Sequence, residues 1–448
     1  LNDTVNIFDG LTTNEWSGTG YSEDTFTLTQ EMITSFAMTT FYVDAVSGND
    51  DNEGTFFAPK MSINKVLEKI DTINDGSSEY RIYIKGNIED SSFENDSFIN
   101  ITPTKTLNLL ICGFGNEKST INAKRNESQP GRVINISTFA NVTLKNLIIT
   151  GGYTSEINGG GIVCEGNLTL DNCEVSNNSA KYGGGVYVSG GTFTMTGGKI
   201  SKNTSSSNGE GGGVYVEGGT FTMENDALIS ENTSCGNGGG VFAEGGNITI
   251  NGGSISENIF SNDGYGGGGI YLTGTAQLTM TGGKISNNYP EGRDFSDDTF
   301  GGGVYVSSGI FKMEGGEISN NYGFYGGGVA TATEGSFSMS GGTISGNIVT
   351  NSSDGSKGNG SAVAVLTGGL FTVSENITIN GDVYLYENQT ITVSNNFEGG
   401  EVMITPFDYS ADVLVLEPID GEFLTPEIVR KFEVTPQLLS SGGYEYWY

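Results

Sequence analysis

Gly183-Gly184-Gly185-Val186-Tyr187-Val188, then Gly190-Gly191-Thr192-Phe193-Thr194-Met195, then Gly197-Gly198-Lys199-Ile200-Ser201-Lys202-Asn203 is the stretch that decides the fold. Glycine groups separate three short alternating segments, and alternation with period two is the signature of strand. The unit recurs from Gly159, Gly211, Gly238, Gly267, Gly301 and Gly326, with a degenerate copy near Gly360. Strands this short make no stable hairpin sandwich. Stacked on their copies in neighbouring units they form parallel ladders about 4.8 Å apart. One repeat per coil, with three strands per coil, predicts a three-sided parallel β-helix. Variation in repeat length falls just before each triplet, the place for loops on one edge.

Period two also assigns the faces. Val186 and Val188 point inward with Phe193, Met195 and Ile200. Ile229, Ile255, Ile285, Ile318 and Ile344 continue the third ladder. An asparagine follows three residues after each isoleucine, at Asn203, Asn232, Asn258, Asn288, Asn321 and Asn347, and Asn178 matches through Val175. This predicts an asparagine ladder at a corner. The triplets are read as corner glycines with close backbone approach, not as a phosphate cradle, because no helix follows them.

Composition agrees with a thin axial core. Glycine numbers 71, proline 8, and apolar residues make up 35%. With 53 acidic and 20 basic residues the net charge is −33, which argues against nucleic acid as a partner. No histidine is present, so the commonest general base and transition-metal ligand is missing. Cys112, Cys164, Cys173 and Cys235 show no zinc or redox spacing; a Cys164–Cys173 bridge stays open. No apolar run is long enough to span a membrane.

The flanks read differently. Residues 1–40 form an irregular Thr-rich segment, with Phe26, Leu28, Ile33 and Phe36 available for side packing. Residues 41–75 hold a strand, a polar turn and an amphipathic helix from about Ser62 to Ile73, suited to capping the solenoid. Residues 76–400 form the β-helix, most regular over 159–350, and 401–448 close it.

The Gly-Gly-Gly-Val/Ile unit with its Ile-Ser-X-Asn ending resembles the repeat of polymorphic outer-membrane proteins, although Gly stands for Ala and Ile for Phe, and no C-terminal barrel is seen. Residues 41–70 resemble the leading segment of secreted pectate-lyase-like β-helices. These resemblances imply a right-handed helix and an extracellular or cell-surface location.

For chemistry, Asp44, Asp50, Asp51 and Glu53 in an Asp-rich turn are candidate calcium ligands, though the spacing is not an EF-hand; no other cofactor is expected. Tyr187, Tyr215, Phe242, Tyr271 and Tyr305 should form an outward aromatic stripe, able to contact a glycan or simply to stack. Thr192, Thr194, Thr220 and Thr222 begin a Thr array like that of ice-binding β-helices, interrupted by Asn247, Gln277 and Lys312. Arg81, Arg125, Arg132, Arg293 and Arg430 share no evident register with acidic residues. The leading expectation is a noncatalytic, adhesin-like or structural surface protein with a protein or glycan receptor; self-association is left open. The alternative is a carbohydrate-active enzyme, lyase or glycoside hydrolase, which requires at least three acidic or basic side chains within hydrogen-bonding reach on one outer face.

Overall fold

A computed structural model of the chain describes residues 39–438 and 444–445, apart from 91–94, 116, 262–264, 292–298, 350–356 and 411–412. The N-terminal segment with Phe26, Leu28, Ile33 and Phe36 lies outside the described residues, as does Arg293. The rest is a parallel β-helix. Each phrase of the repeat is a strand: Val186–Val188, Thr192–Met195 and Gly198–Ser201. Each pairs in parallel with its copy one coil on, as in Val186↔Val214, Phe193↔Phe221 and Ile200↔Ile229.

The first wall is a sheet of 13 strands running from Ser97–Ile101 to Phe432–Val434. The second and third walls join as one folded sheet, because strands such as Ile310–Ser319 run round the corner between them. A short fourth row appears that the repeat did not announce. It pairs two-residue and longer strands between the asparagine and the next triplet, for example Ser179–Tyr182 with Thr204–Glu210.

The core is a set of like-residue columns. Phe193 lies on Phe221 at 4.9 Å between centroids, Phe311 on Phe337 at 4.7 Å, and Phe337 on Phe371 at 5.0 Å. These rings are fully buried, as are Ile200, Ile229, Ile255, Ile285, Ile318 and Ile344. Burial of apolar area, at roughly 25 cal/mol per Å², is thus shared along the axis, which is why a modest apolar content is enough.

The asparagine ladder is continuous. Asn203 Oδ1 accepts the backbone N–H of Asn178 at 3.1 Å and its Nδ2 at 3.0 Å. Asn203 Nδ2 donates to Val175 O at 2.9 Å. The pattern repeats through Asn232, Asn258, Asn288 and Asn321 to Asn347. Buried corner groups, costly if unpaired, are satisfied by the coil above.

The triplet has a steric reason. Gly183 has φ +62°. A Cβ on Gly184 would lie 2.5 Å from Thr204 O, and one on Gly185 2.6 Å from Gly213 O. Coil-to-coil spacing leaves no room for a side chain there.

Helix α1, Ile63–Ile73, closes the N-terminal end. Ser62 caps it, accepting from Lys65 N, and Ile63, Val66 and Ile70 join the axial core. Beyond Asn380 the triplets stop, yet Ile391–Val393, Val402–Pro406, Leu416–Pro418 and Phe432–Val434 still extend the parallel walls. All four cysteines are free; burial pushes the thiols of Cys164 and Cys173 up to about 12. Among the described residues no helix is long and apolar enough to cross a membrane.

Candidate functional site

The Asp-rich turn already has its cation. Lys60 Nζ donates to the carbonyls of Asp50 and Asn52 at 2.6 and 2.7 Å. Asp44 accepts from the N–H groups of Val46 and Ser47 and, at 2.6 Å, from the Ser47 hydroxyl; its carboxyl is held below the usual range chiefly by Ser47. Asp50 accepts from Met61 N and Ser62 N, which ties the turn to α1. Glu53 pairs with Lys69, and Asp51 is exposed. These carboxylates, the candidate calcium ligands, are therefore dispersed into local turn and helix contacts. Among the described residues no group of three or more Asp, Glu, Cys or His could hold a metal.

The arginines also differ from expectation. Arg125 forms a buried ion pair with Asp90 at 2.6 Å, and Arg81 pairs with Glu79 at 2.8 Å. Arg132 is within the fields of Asp96 and Glu165, and burial lowers its pKa. On the second wall Thr143, Thr169, Thr194, Thr222, Thr249 and Thr279 form an in-register outer column that ends at Lys312.

The aromatic stripe points outward from the first wall, as the alternation requires, but it is not an open platform. Tyr187, Tyr215, Phe242, Tyr271 and Tyr305 are 4–8% exposed. Successive centroids lie 5.0–5.2 Å apart, and the first three contacts are stacked. Ring faces are thus occupied by the neighbouring ring. Tyr182 covers Tyr215 at 5.1 Å, and Phe300 covers Tyr305 at 5.3 Å. Where Ala330 and Ala364 replace the aromatic, Tyr325 bridges from Phe300 to Tyr384.

The cover comes from the residue just before each triplet: Tyr182, Phe300 and Tyr325 supply rings. Over the middle coils the same position holds Glu210, Asn237 and Gly266. The aromatic cover is interrupted there, and carboxylates gather at the gap. Tyr187 Oη donates to Glu217 Oε2 at 2.8 Å, and Tyr215 Oη donates to Glu244 Oε2 at 2.8 Å. Glu217 and Glu244 are exposed. Glu210, half-buried on the opposite shoulder, accepts from Asn237 Nδ2 at 3.1 Å. Burial raises the pKa of Glu210 first; the Asn237 amide pulls it back, and the Glu244 charge adds to the rise. Burial, then the bonded carboxylates, raises the phenols of Tyr187 and Tyr215.

Three carboxylates and two phenols therefore flank one outer face, Glu217 and Glu244 on one shoulder of the stripe and Glu210 on the other. The enzyme alternative required at least three charged side chains within hydrogen-bonding reach; here each carboxylate bonds its own partner, Tyr187, Tyr215 or Asn237. The sequence reading missed this grouping because Glu210 precedes one triplet, whereas Glu217 and Glu244 each follow a Val-Tyr-Val-type strand. Only alignment down the coils brings them together.

No known family profile matches the chain, and no characterised protein matches its sequence. Among solved structures it is similar to the GH136 lacto-N-biosidase from Eubacterium ramulus in its native form, at 10% identity and a TM-score of 0.34, covering 88% of this chain and 67% of that one. The selenomethionine derivative of the same enzyme gives 11% and 0.29, covering 86% and 67%. Both neighbours are glycoside hydrolases, where the expectation for this chain had been a noncatalytic protein. The likeness concerns the fold; what this chain can do rests on its own carboxylate geometry.

Proposed function

We propose that the chain is a carbohydrate-active enzyme, a glycoside hydrolase working on the outer face of the first wall. Glu210 is the proton donor and Glu244 the partner carboxylate. One observation carries this reading: a half-buried carboxyl with a raised pKa stands within the field of a second, exposed carboxylate that a phenol orients. Two carboxylates set apart by environment are the requirement for protonating a glycosidic oxygen while the other acts on the anomeric centre. Glu210 gives its proton to the leaving oxygen as the C–O bond breaks. Glu244 takes a proton from water or attacks the anomeric carbon. We extend the reading to an extracellular or cell-surface setting, where polymeric glycans are met.

The test is a panel of neutral oligosaccharides with product analysis by chromatography. Turnover by the native chain should fall by about 10²–10⁴ in Glu210→Gln and in Glu244→Gln, with circular dichroism unchanged. Full activity in both variants, or no turnover across the panel, overturns the proposal.

A further inference from the structure

Tyr265 is tied by its backbone to Asn237 at the gap and is 57% exposed, in contrast to the buried stripe. Its backbone N–H donates to Asn237 Oδ1 at 2.6 Å, and Gly266 N donates to the same oxygen at 3.2 Å. Because both N–H groups require an acceptor, the orientation of the Asn237 amide is determined: its Nδ2 must face Glu210. Asn237 is 8% exposed and cannot swing away. One buried amide thus fixes the Glu210 carboxyl on one side and the Tyr265 backbone on the other. Tyr265 O in turn accepts from Phe300 N at 2.7 Å. The Asn237 side chain, shared by the Tyr265 N–H and the Glu210 carboxyl, sets the exposed tyrosine beside that carboxylate.

We infer that Tyr265 is the sugar-stacking, specificity-determining residue of this face, and that Asn237 positions it relative to Glu210. The inference rests on the hydrolase reading for its substrate class, a neutral pyranose chain. An uncharged sugar avoids repulsion from Glu210, Glu217 and Glu244, and its C–H face suits an exposed ring held at backbone level. The buried stripe serves instead as the rigid bed.

Affinity for neutral oligosaccharides is measured by calorimetry on the Glu210→Gln protein, so that cleavage does not intervene. Adding Tyr265→Ala should weaken binding about tenfold, whereas Tyr265→Trp should retain it. Unchanged affinity in Tyr265→Ala, or no oligosaccharide bound by Glu210→Gln, overturns the inference. Binding that depends on Tyr265 in a chain whose native form never cleaves would overturn the hydrolase reading and leave the stacking role standing.

Discussion

Replacing Asn258 by alanine probes the ladder at its centre. Asn258 is fully buried. Its Oδ1 accepts the Asn232 N–H at 3.1 Å and Asn232 Nδ2 at 3.0 Å. Its Nδ2 donates to Ile229 O and Asn288 Oδ1, both at 3.0 Å. Alanine removes all four bonds and strands the Asn232 N–H away from water. An unsatisfied buried group costs about 1–3 kcal/mol, and the losses at Ile229 O and the Asn232 amide bring the expected total to about 3–5 kcal/mol. Solenoids open coil by coil, so the assay is amide hydrogen exchange read at Asn232 and its neighbours. At about 1.4 kcal/mol per tenfold, protection there should fall by roughly two to four orders of magnitude. Asn251→Ala is the control: Asn251 is exposed and its side chain accepts from the Thr281 hydroxyl at the surface, so its effect should stay within about 0.5 kcal/mol. Equal effects of the two variants would refute the load placed on the ladder.

Gly185→Ala should destabilise by about 2 kcal/mol or more, because its Cβ meets Gly213 O at 2.6 Å; Gly190→Ala, with its nearest contact at 3.5 Å, should be mild by the same denaturation assay. Tyr215→Phe removes the hydroxyl that holds Glu244 and should lower kcat more than it changes KM; a kcat equal to the native value counts against Glu244 as a working carboxylate. Asn237→Ala removes a donor that favours charged Glu210. With Glu244 and the Tyr215 and Tyr271 phenols still facing that carboxyl, the basic limb of the pH–rate profile should move to higher pH, and an unmoved limb would contradict the assignment. Because the folded pKa of Glu210 lies above its unfolded value, stability falls as pH rises between the two. Glu210→Gln should remove that fall while lowering oligosaccharide turnover. Asp44 runs the other way: its depressed carboxyl contributes stability above the unfolded pKa, lost as pH falls toward the folded one, so acid should loosen the turn beside α1 first.

The coil was legible because its determinants are local and repeated. Ile200 and Asn203 stand three apart in every copy, and stacking follows from that spacing alone. The cap helix was legible for a similar reason, its apolar face being set by Ile63, Val66 and Ile70. The direction of the Tyr stripe was also readable, but its burial was not, since Tyr182, Phe300 and Tyr325 come from segments of variable length. Lys60 satisfies the Asp-rich turn from several residues away, a contact that no residue-type count exposes. Glu210 is hardest to see: its role depends on the absence of an aromatic at one position in three adjacent coils, and on an amide from the next coil.

The central claim is that Glu210 protonates a leaving sugar oxygen. The direct measurement compares Glu210→Gln on a natural neutral oligosaccharide and on an aryl glycoside of the same sugar, whose acidic phenol needs no protonation to leave. The account predicts a loss of about 10² or more on the oligosaccharide with aryl glycoside cleavage largely kept. Equal losses on both substrates, or none on either, would contradict it.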